Sequence, residues 1–600
     1  MKSREITFAA SGLVLLVLIA FFSYAKNQCQ TPVPEPSAWG GYYGEPFVLE
    51  LSAPENGTVY YTLDGSEPTE NSQVYQGGIL LEDRSQEPNV YNAIPNVVTD
   101  WKDRTMDSAP VPKGTVVRAI FINDLGMESE ILTQTYFIGL EPPESGYTLS
   151  LVFAYEDLFG DQGIYVTGKD YDDWYLSGGQ EDTAPVPNYE QDWEVCVTAE
   201  LLDGSGDVLN QRAGLKIQGA SARGAAKKRF TLTAREEYSG SQIFDAVLFE
   251  GVTTHSVMIK EALPDAMLPE LVADRAVSVQ RSVPVRVYLN GEYWYDSFML
   301  ERYDNEYFRQ YYQVSDRTLI KDGVMDEESR AAMELDEYSE FLYWVTTTDF
   351  SDPEQWEQIQ QEADIQSYID YLSINLCMGN YDFDDNHNYV LWRSLYSGNT
   401  SYLDQRWRWC LYDMDVVLWG GGNPEFQDYA DLNIFSDPAV FGIDNTTLFS
   451  ALRPNLEFCR QFVTSCMDIV NNNFAPERVE QVLEKYGQDL DWLDGFFRRR
   501  PAFVAEHLAE EFDLTGDLET VEITTRDPEL GTVVVNTSEI DLTEGSWSGK
   551  YYEDYPITIT AYPAEGCRFV GWKGDVEDGA ESLALSVDGG VSLEAVFQRE

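Results

Sequence analysis

The sequence predicts an α+β protein: a large central region of strands and helices, small all-β modules on either side, and one apolar span in front. Three observations carry this expectation. Residues 45–141 and 520–600 alternate apolar and polar side chains over short runs punctuated by turn residues. Residues 145–514 pass from strand-type alternation to helix-type periodicity. Residues 6–25 form an uncharged, mostly apolar stretch.

Length and composition bound the rest. At 600 residues the chain is long enough for about four domains. Aromatics make up 13% of it, too many for a largely disordered polymer. Lys and Arg number 40 against 103 Asp and Glu, a formal charge of −63. Such a surface repels phosphodiester backbones, which excludes sequence-independent nucleic-acid binding. There are 7 Cys, none in a CxxC pair, and 3 His. That pattern supports neither a zinc site nor a disulfide framework, and it argues against histidine-based triads.

At the N-terminus, Lys2 and Arg4 precede the apolar stretch, and acidic residues dominate the chain after it. About 20 apolar residues can span a bilayer, and the positive-inside rule puts the body outside. Residues 1–26 therefore read as a signal anchor, or as a cleaved signal peptide with Ser23-Tyr24-Ala25 as its small-residue site. Residues 27–44 contain three prolines between Gln30 and Ser37 and read as a stiff linker. The expected location is a bacterial cell membrane with an extracellular body, or secretion.

In the first β module, Val59 to Leu63 is a strand running into an Asp64-Gly65 turn, and further strands lie at Gly114–Phe121 and Thr133–Ile138. The YYTxDGSxPT run with the later GTxVRA run resembles the module at the C-terminus of chitobiase-type hexosaminidases, which implies a β-sandwich spacer or glycan-contacting unit. At the other end, Gly531–Asn536, Ile557–Ala561 and Phe569–Gly574 read as strands. This GTVxVN…TxTAxPAEGxxFxGWxG pattern resembles the divergent internalin-type B-repeat of bacterial surface proteins and implies adhesion or spacing. Both modules read as independent units, bounded by Pro142-Pro143 and by Gly516.

The central region holds the chemistry. Leu215–Gly219 reads as a strand, followed by a loop in which Arg223, Lys227, Lys228 and Arg229 fall within seven residues. In so acidic a chain, a basic cluster around glycine suits an anionic ligand such as phosphate, or balances nearby acids. A hairpin is expected across Asn290-Gly291. Glu301 comes after it, placed to orient a lysine or to sit solvated at a strand end. Ile365, Tyr368, Ile369, Leu372 and Leu376 recur at helical spacing, with Asp364 as N-cap and Gly379 as stop. Next comes Asn380-Tyr381-Asp382-Phe383-Asp384-Asp385-Asn386-His387-Asn388, rich in carboxylates and amides. The strand Tyr389–Arg393 is next, and then the run Arg406–Trp419. If that run is one strand, Asp413 and Asp415 share an apolar face with Trp407, Trp409 and Leu411. Two carboxylates there repel each other, a conflict that a divalent cation relieves.

Taken in order, these segments resemble the spore-coat-protein-H-like (CotH) atypical kinases over residues 151–514. The segments that carry the resemblance are GIYVTG at Gly163–Gly168, GLKIQG at Gly214–Gly219, YLNGEY at Tyr288–Tyr293, the NxD run at Asn380, WCLYDMD ending at Asp415, and the tail Arg498-Arg499-Arg500-Pro501. The ordinary protein-kinase signatures GxGxxG, HRD and DFG are absent. The resemblance implies a divergent two-lobed kinase-like fold and phosphate transfer from ATP, with Mg²⁺ or Mn²⁺, to a protein acceptor. It implies that Asp382 is the catalytic base and that Asn388, Asp413 and Asp415 are metal ligands. It also implies that Lys228, with Arg223 and Glu301 in the same subsite, holds the nucleotide. Two departures from the family pattern are Phe383, where Trp is common, and Tyr412, which replaces the Trp before Asp413. The competing expectation is an inactive surface scaffold or glycan-binding protein that meets the cell wall through its flanking modules. Paired-carboxylate glycoside hydrolysis finds no support in the spacing.

Overall fold

The computed structural model describes residues 31–104, 109–322, 324–325, 337–385, 387–417, 429–435, 446–487 and 490–600. The expected membrane span and signal region, with Asn386, Leu418 and Trp419, lie outside the described residues. Among the described residues, no helix is long and apolar enough to cross a membrane. The chain divides into two compact units: one runs to Glu261 and includes Val283–Met299, and the other comprises Ala262–Ser282 and Leu300–Glu600.

The first unit opens with the expected sandwich. Its larger sheet has the strand order Gly41–Tyr43, Leu132–Ile138, Thr115–Asn123, Gly57–Thr62, Gln73–Val74. Leu49, Leu81, Val117, Phe121 and Tyr136 are packed in its core. Asp64 ends the Gly57–Thr62 strand as expected: its carboxylate accepts from the Ser66 N–H at 3.1 Å.

A closed barrel comes next. Its strands, in spatial order, are Tyr147–Val152, Glu194–Asp203, Gly206–Gln218, Arg229–Ala234, Ser256–Lys260, Glu292–Glu301 and Ser282–Leu289. Parallel pairing of the last strand with the first closes the ring, with Tyr147 opposite Val285 and Leu151 opposite Leu289. The Asn290-Gly291 hairpin forms as predicted: both residues have positive φ, 45° and 80°, as its two-residue turn requires.

The sandwich and barrel are not separable beads. Tyr91 and Val97, from the sandwich region, are buried in the barrel core with Leu151, Phe159, Tyr165 and Trp294. Glu200, on a barrel strand and fully buried, accepts from the Thr135 backbone N–H at 3.0 Å and from the Thr135 hydroxyl. The independence expected of this module therefore gives way to a shared core.

The second unit is mixed. A four-stranded antiparallel sheet has the order Val324–Met325, Arg317–Lys321, Val390–Ser394, Arg408–Cys410. The helix expected after Asp364 spans Ile365–Met378. The Asp364 side chain accepts from the Ser367 N–H, and Gly379 closes the helix at φ 67°. The helix is buried nearly all round, as its apolar sequence requires. Cys459 and Cys466 lie on the buried Leu456–Asp468 helix, both as free thiols.

The C-terminal module forms two four-stranded sheets. Their orders are Ser546–Tyr552, Leu518–Thr524, Val591–Arg599, Cys567–Gly574 and Ser538–Glu539, Gly531–Val535, Ile557–Pro563, Ser582–Leu585. Buried polar groups join it to the helices. Arg275 donates to Asp370 at 2.6 Å, to Ser465 at 2.8 Å and to Ser538 of the module at 2.6 Å. Asp468, fully buried, accepts from Asn536 at 2.8 Å and Tyr551 at 2.7 Å, both from the module. Burial pushes the Asp468 carboxyl up to about 6. This module, too, is less independent than its sequence suggests.

Candidate functional site

One end of the second unit's sheet gathers the loops that carry the predicted chemistry. Lys321, Val390 and Cys410 are in register there, Lys321 opposite Val390 and Val390 opposite Cys410. One residue beyond, the Asp322 N–H donates to the Tyr389 carbonyl at 2.8 Å. Three non-glycine residues at this end adopt left-handed backbone conformations: Asp322 at φ 51°, Asn388 at φ 50° and Asp413 at φ 54°. Asp and Asn tolerate that region best, and such strain concentrates where side chains are aimed for function.

The predicted strand through Arg406–Trp419 is much shorter than expected. Only Arg408–Cys410 pairs in the sheet; Leu411–Met414 are irregular, and a turn follows at Asp415–Val417. The two acids are therefore not brought together by strand alternation. Positive φ at Asp413 and the turn at Asp415 do it instead.

A third acid joins them. Asp265, 7% exposed on the Leu263–Leu271 helix, accepts from the Met414 backbone N–H at 2.6 Å. One carboxylate oxygen each from Asp265, Asp413 and Asp415 lie within 4.8 Å of one another. Sequence reasoning missed Asp265. The available signal was an acid in the apolar run Ala262-Leu263-Pro264-Asp265-Ala266-Met267-Leu268, since an unpartnered carboxylate seldom occupies such a position. Three hard oxygen donors this close suit Mg²⁺ or Mn²⁺ and not a thiophilic metal.

Asp382 lies in the loop after the Ile365–Met378 helix. Its N–H donates to the Asn380 side chain at 3.1 Å, and the Asn380 amide donates to Asn375 at 2.7 Å, fixing the loop to the helix end. Asn388 donates to the Asp382 carbonyl at 2.8 Å and to its carboxylate at 3.2 Å. His387 Nδ1 lies 3.3 Å from Asp382. Partial burial raises the Asp382 carboxyl above its ordinary range; His387 opposes this, while the charges of Asp415 and Asp413 add to it.

The remaining predicted residues are otherwise engaged. Lys228, 1% exposed, donates to the carbonyls of Val97 at 2.8 Å, Arg223 at 2.5 Å and Ala225 at 2.9 Å. It also lies 3.7 Å from the Tyr189 ring centroid. Burial pushes its ammonium down to about 7. Arg223 donates to the carbonyls of Gly219, Tyr189 and Gln191. Both cations expected to cradle phosphate instead brace the first unit's own backbone, and a phosphate role for either requires those bonds to break. Glu301 is buried and pairs with Arg281 at 2.9 Å, not with a lysine, and it accepts from the Tyr311 hydroxyl at 2.7 Å.

The second unit is thus a mixed α/β unit with a cluster of three carboxylates at one sheet end. Residues 215–491 match the family model described as CotH kinase protein. Residues 48–136 match one described as Fn3 associated, and residues 532–600 match the divergent InlB B-repeat domain. No curated protein matches the chain at a significant level. The chain is thus similar to the CotH kinase protein family over residues 215–491, with a segment similar to the Fn3-associated module before it and one similar to the InlB-type repeat after it.

Proposed function

We propose that the chain is an atypical kinase that transfers the γ-phosphoryl group of ATP to a protein hydroxyl. In this reading the CotH region is a divergent two-lobed kinase-like domain, held outside the cell by the N-terminal span or secreted. The observation that carries it is the Asp265–Asp413–Asp415 carboxylate cluster inside the CotH match, with the charges of Asp415 and Asp413 acting on Asp382.

Asp265, Asp413 and Asp415 would hold Mg²⁺ or Mn²⁺, with the Asn388 amide oxygen as a further donor. The ion would supply positive charge against the phosphate oxygens. Asp382 would accept the proton of the acceptor hydroxyl, and its raised carboxyl pKa makes it a stronger base than a solvated aspartate. Asn388 orients that carboxylate by donating to it. The protein's task is mainly to position groups and to place charge, as phosphoryl transfer requires.

One observation favours a second reading, an inactive scaffold or glycan-binding surface protein: Arg223 and Lys228 donate to main-chain carbonyls. The two readings separate in one experiment. Calorimetric titration of Mg-ATP into the full chain, followed by γ-labelled ATP with a generic protein acceptor, yields binding and transfer under the first. Absence of Mg-ATP binding by the folded protein ends the kinase reading.

A further inference from the structure

With Arg223 and Lys228 engaged elsewhere, the proposed site has acids but no assigned cation for the substrate's phosphates. Lys321 stands at the sheet end where those acids collect. It is the last residue of the Arg317–Lys321 strand, opposite Val390 and one residue before the positive-φ Asp322. The residue is exposed. Its Nζ donates to the Tyr412 hydroxyl at 2.6 Å, and Tyr412 directly precedes Asp413.

We propose that Lys321, held by the Tyr412 hydroxyl, is the cation of this site that contacts the phosphates of a nucleoside triphosphate. The assignment rests on the phosphotransfer reading above. A hydroxyl fixes the ammonium without neutralising it. Two of the three ammonium donors remain for phosphate oxygens. Among the described residues Lys321 forms no ion pair, unlike many cations in this acidic chain. Desolvation lowers the Lys321 ammonium, while Tyr412, Asp322 and Asp413 together raise it above its ordinary range. An ammonium bonded to the residue before a proposed metal ligand is placed for an anion that bridges the two.

The test compares the full chain with Lys321→Met and Lys321→Arg. Each is titrated with Mg-ATP by calorimetry and with Mn²⁺ alone by electron paramagnetic resonance. Loss of a charge-assisted phosphate contact weakens Mg-ATP binding by about tenfold or more in Lys321→Met. Lys321→Arg stays within about threefold of the parent, because the charge is kept. Mn²⁺ alone binds Lys321→Met as well as the parent, or more tightly, because a nearby positive charge is gone. Should Lys321→Met not fold, Lys321→Gln carries the same expectations while keeping a donor for Tyr412. Equal Mg-ATP affinity in parent and variant overturns this assignment alone. Loss of Mn²⁺ binding in the variant also overturns it, since the lysine would then be supporting the acids. A parent that binds Mn²⁺ but not Mg-ATP overturns both this assignment and the kinase reading.

Discussion

Glu200→Gln should make the first unit more stable at pH 8, not less. Glu200 is fully buried between the barrel and the Leu132–Ile138 strand, and burial pushes its carboxyl from 4.5 up to about 8. A carboxyl whose folded pKa lies above its unfolded value favours the fold in its protonated form. That contribution is complete below about pH 4.5 and is lost as the pH rises to about 8. At about 1.4 kcal/mol per pH unit, the folded state loses roughly 4–5 kcal/mol across the interval. Between pH 5.5 and pH 8 the loss is about 3 kcal/mol. Glutamine mimics the protonated acid. Its oxygen can accept from the Thr135 N–H and its amide can donate to the Thr135 hydroxyl, which in turn can donate to Ser150 at 2.8 Å. Asp207 and Arg118 also act on Glu200, so the measurement is the parent–variant difference at each pH. Hydrogen exchange of peptides covering Leu132–Ile138 and Glu194–Asp203, corrected for intrinsic rates, reads the local opening energy. Protection in the variant should exceed that of the parent by a margin that widens by about 3 kcal/mol from pH 5.5 to 8. Parallel pH profiles, or a variant less protected at pH 8, would refute the reasoning.

Asp413→Asn should weaken Mn²⁺ binding and, with it, Mg-ATP binding. Asp382→Asn should leave both largely intact while lowering transfer by about 10²–10⁴-fold; calorimetry and labelled-phosphate transfer read the two effects. Lys228→Met should leave Mg-ATP affinity within about twofold but lower the melting temperature, since three carbonyls lose a charged donor worth roughly 1.5–3 kcal/mol. Arg275→Met should destabilise the second unit by about 3–5 kcal/mol, because Asp370 is left buried and short of its cation. A combined Arg275→Met, Asp370→Leu variant should recover much of that loss in chemical denaturation.

Local signals were legible in the sequence where a residue acts on its near neighbours. Asp364 caps its helix, Gly379 ends it, and Asn290-Gly291 turns its hairpin, because each depends on backbone geometry within a few positions. Asn388 bonds to Asp382, and Asp413 lies beside Asp415, but strand alternation is not what places that pair. The irregular backbone after Cys410 is held by Asp265, 149 residues before the Met414 amide it accepts from. No periodicity reports a partner that distant. Lys228 shows the same limit. The basic run around it read as a phosphate loop or as local charge balance, and its carbonyl acceptors include that of Val97, 131 residues earlier. Charge in a sequence gives no sign that tertiary folding will supply carbonyls to absorb it.

The bonds from Arg275 to Ser538 and from Asp468 to Tyr551 set an order of events during biosynthesis. Arg275 and Ser538 are 263 residues apart, so at ~5–20 residues per second the guanidinium waits about 15–50 s for that acceptor. Until the repeat has emerged, Asp468 lacks the Asn536 and Tyr551 donors that permit its burial. The helices can collapse earlier, but their polar core closes only when the repeat arrives. Without the repeat, Arg275 and Asp468 would be left short of partners that their burial requires.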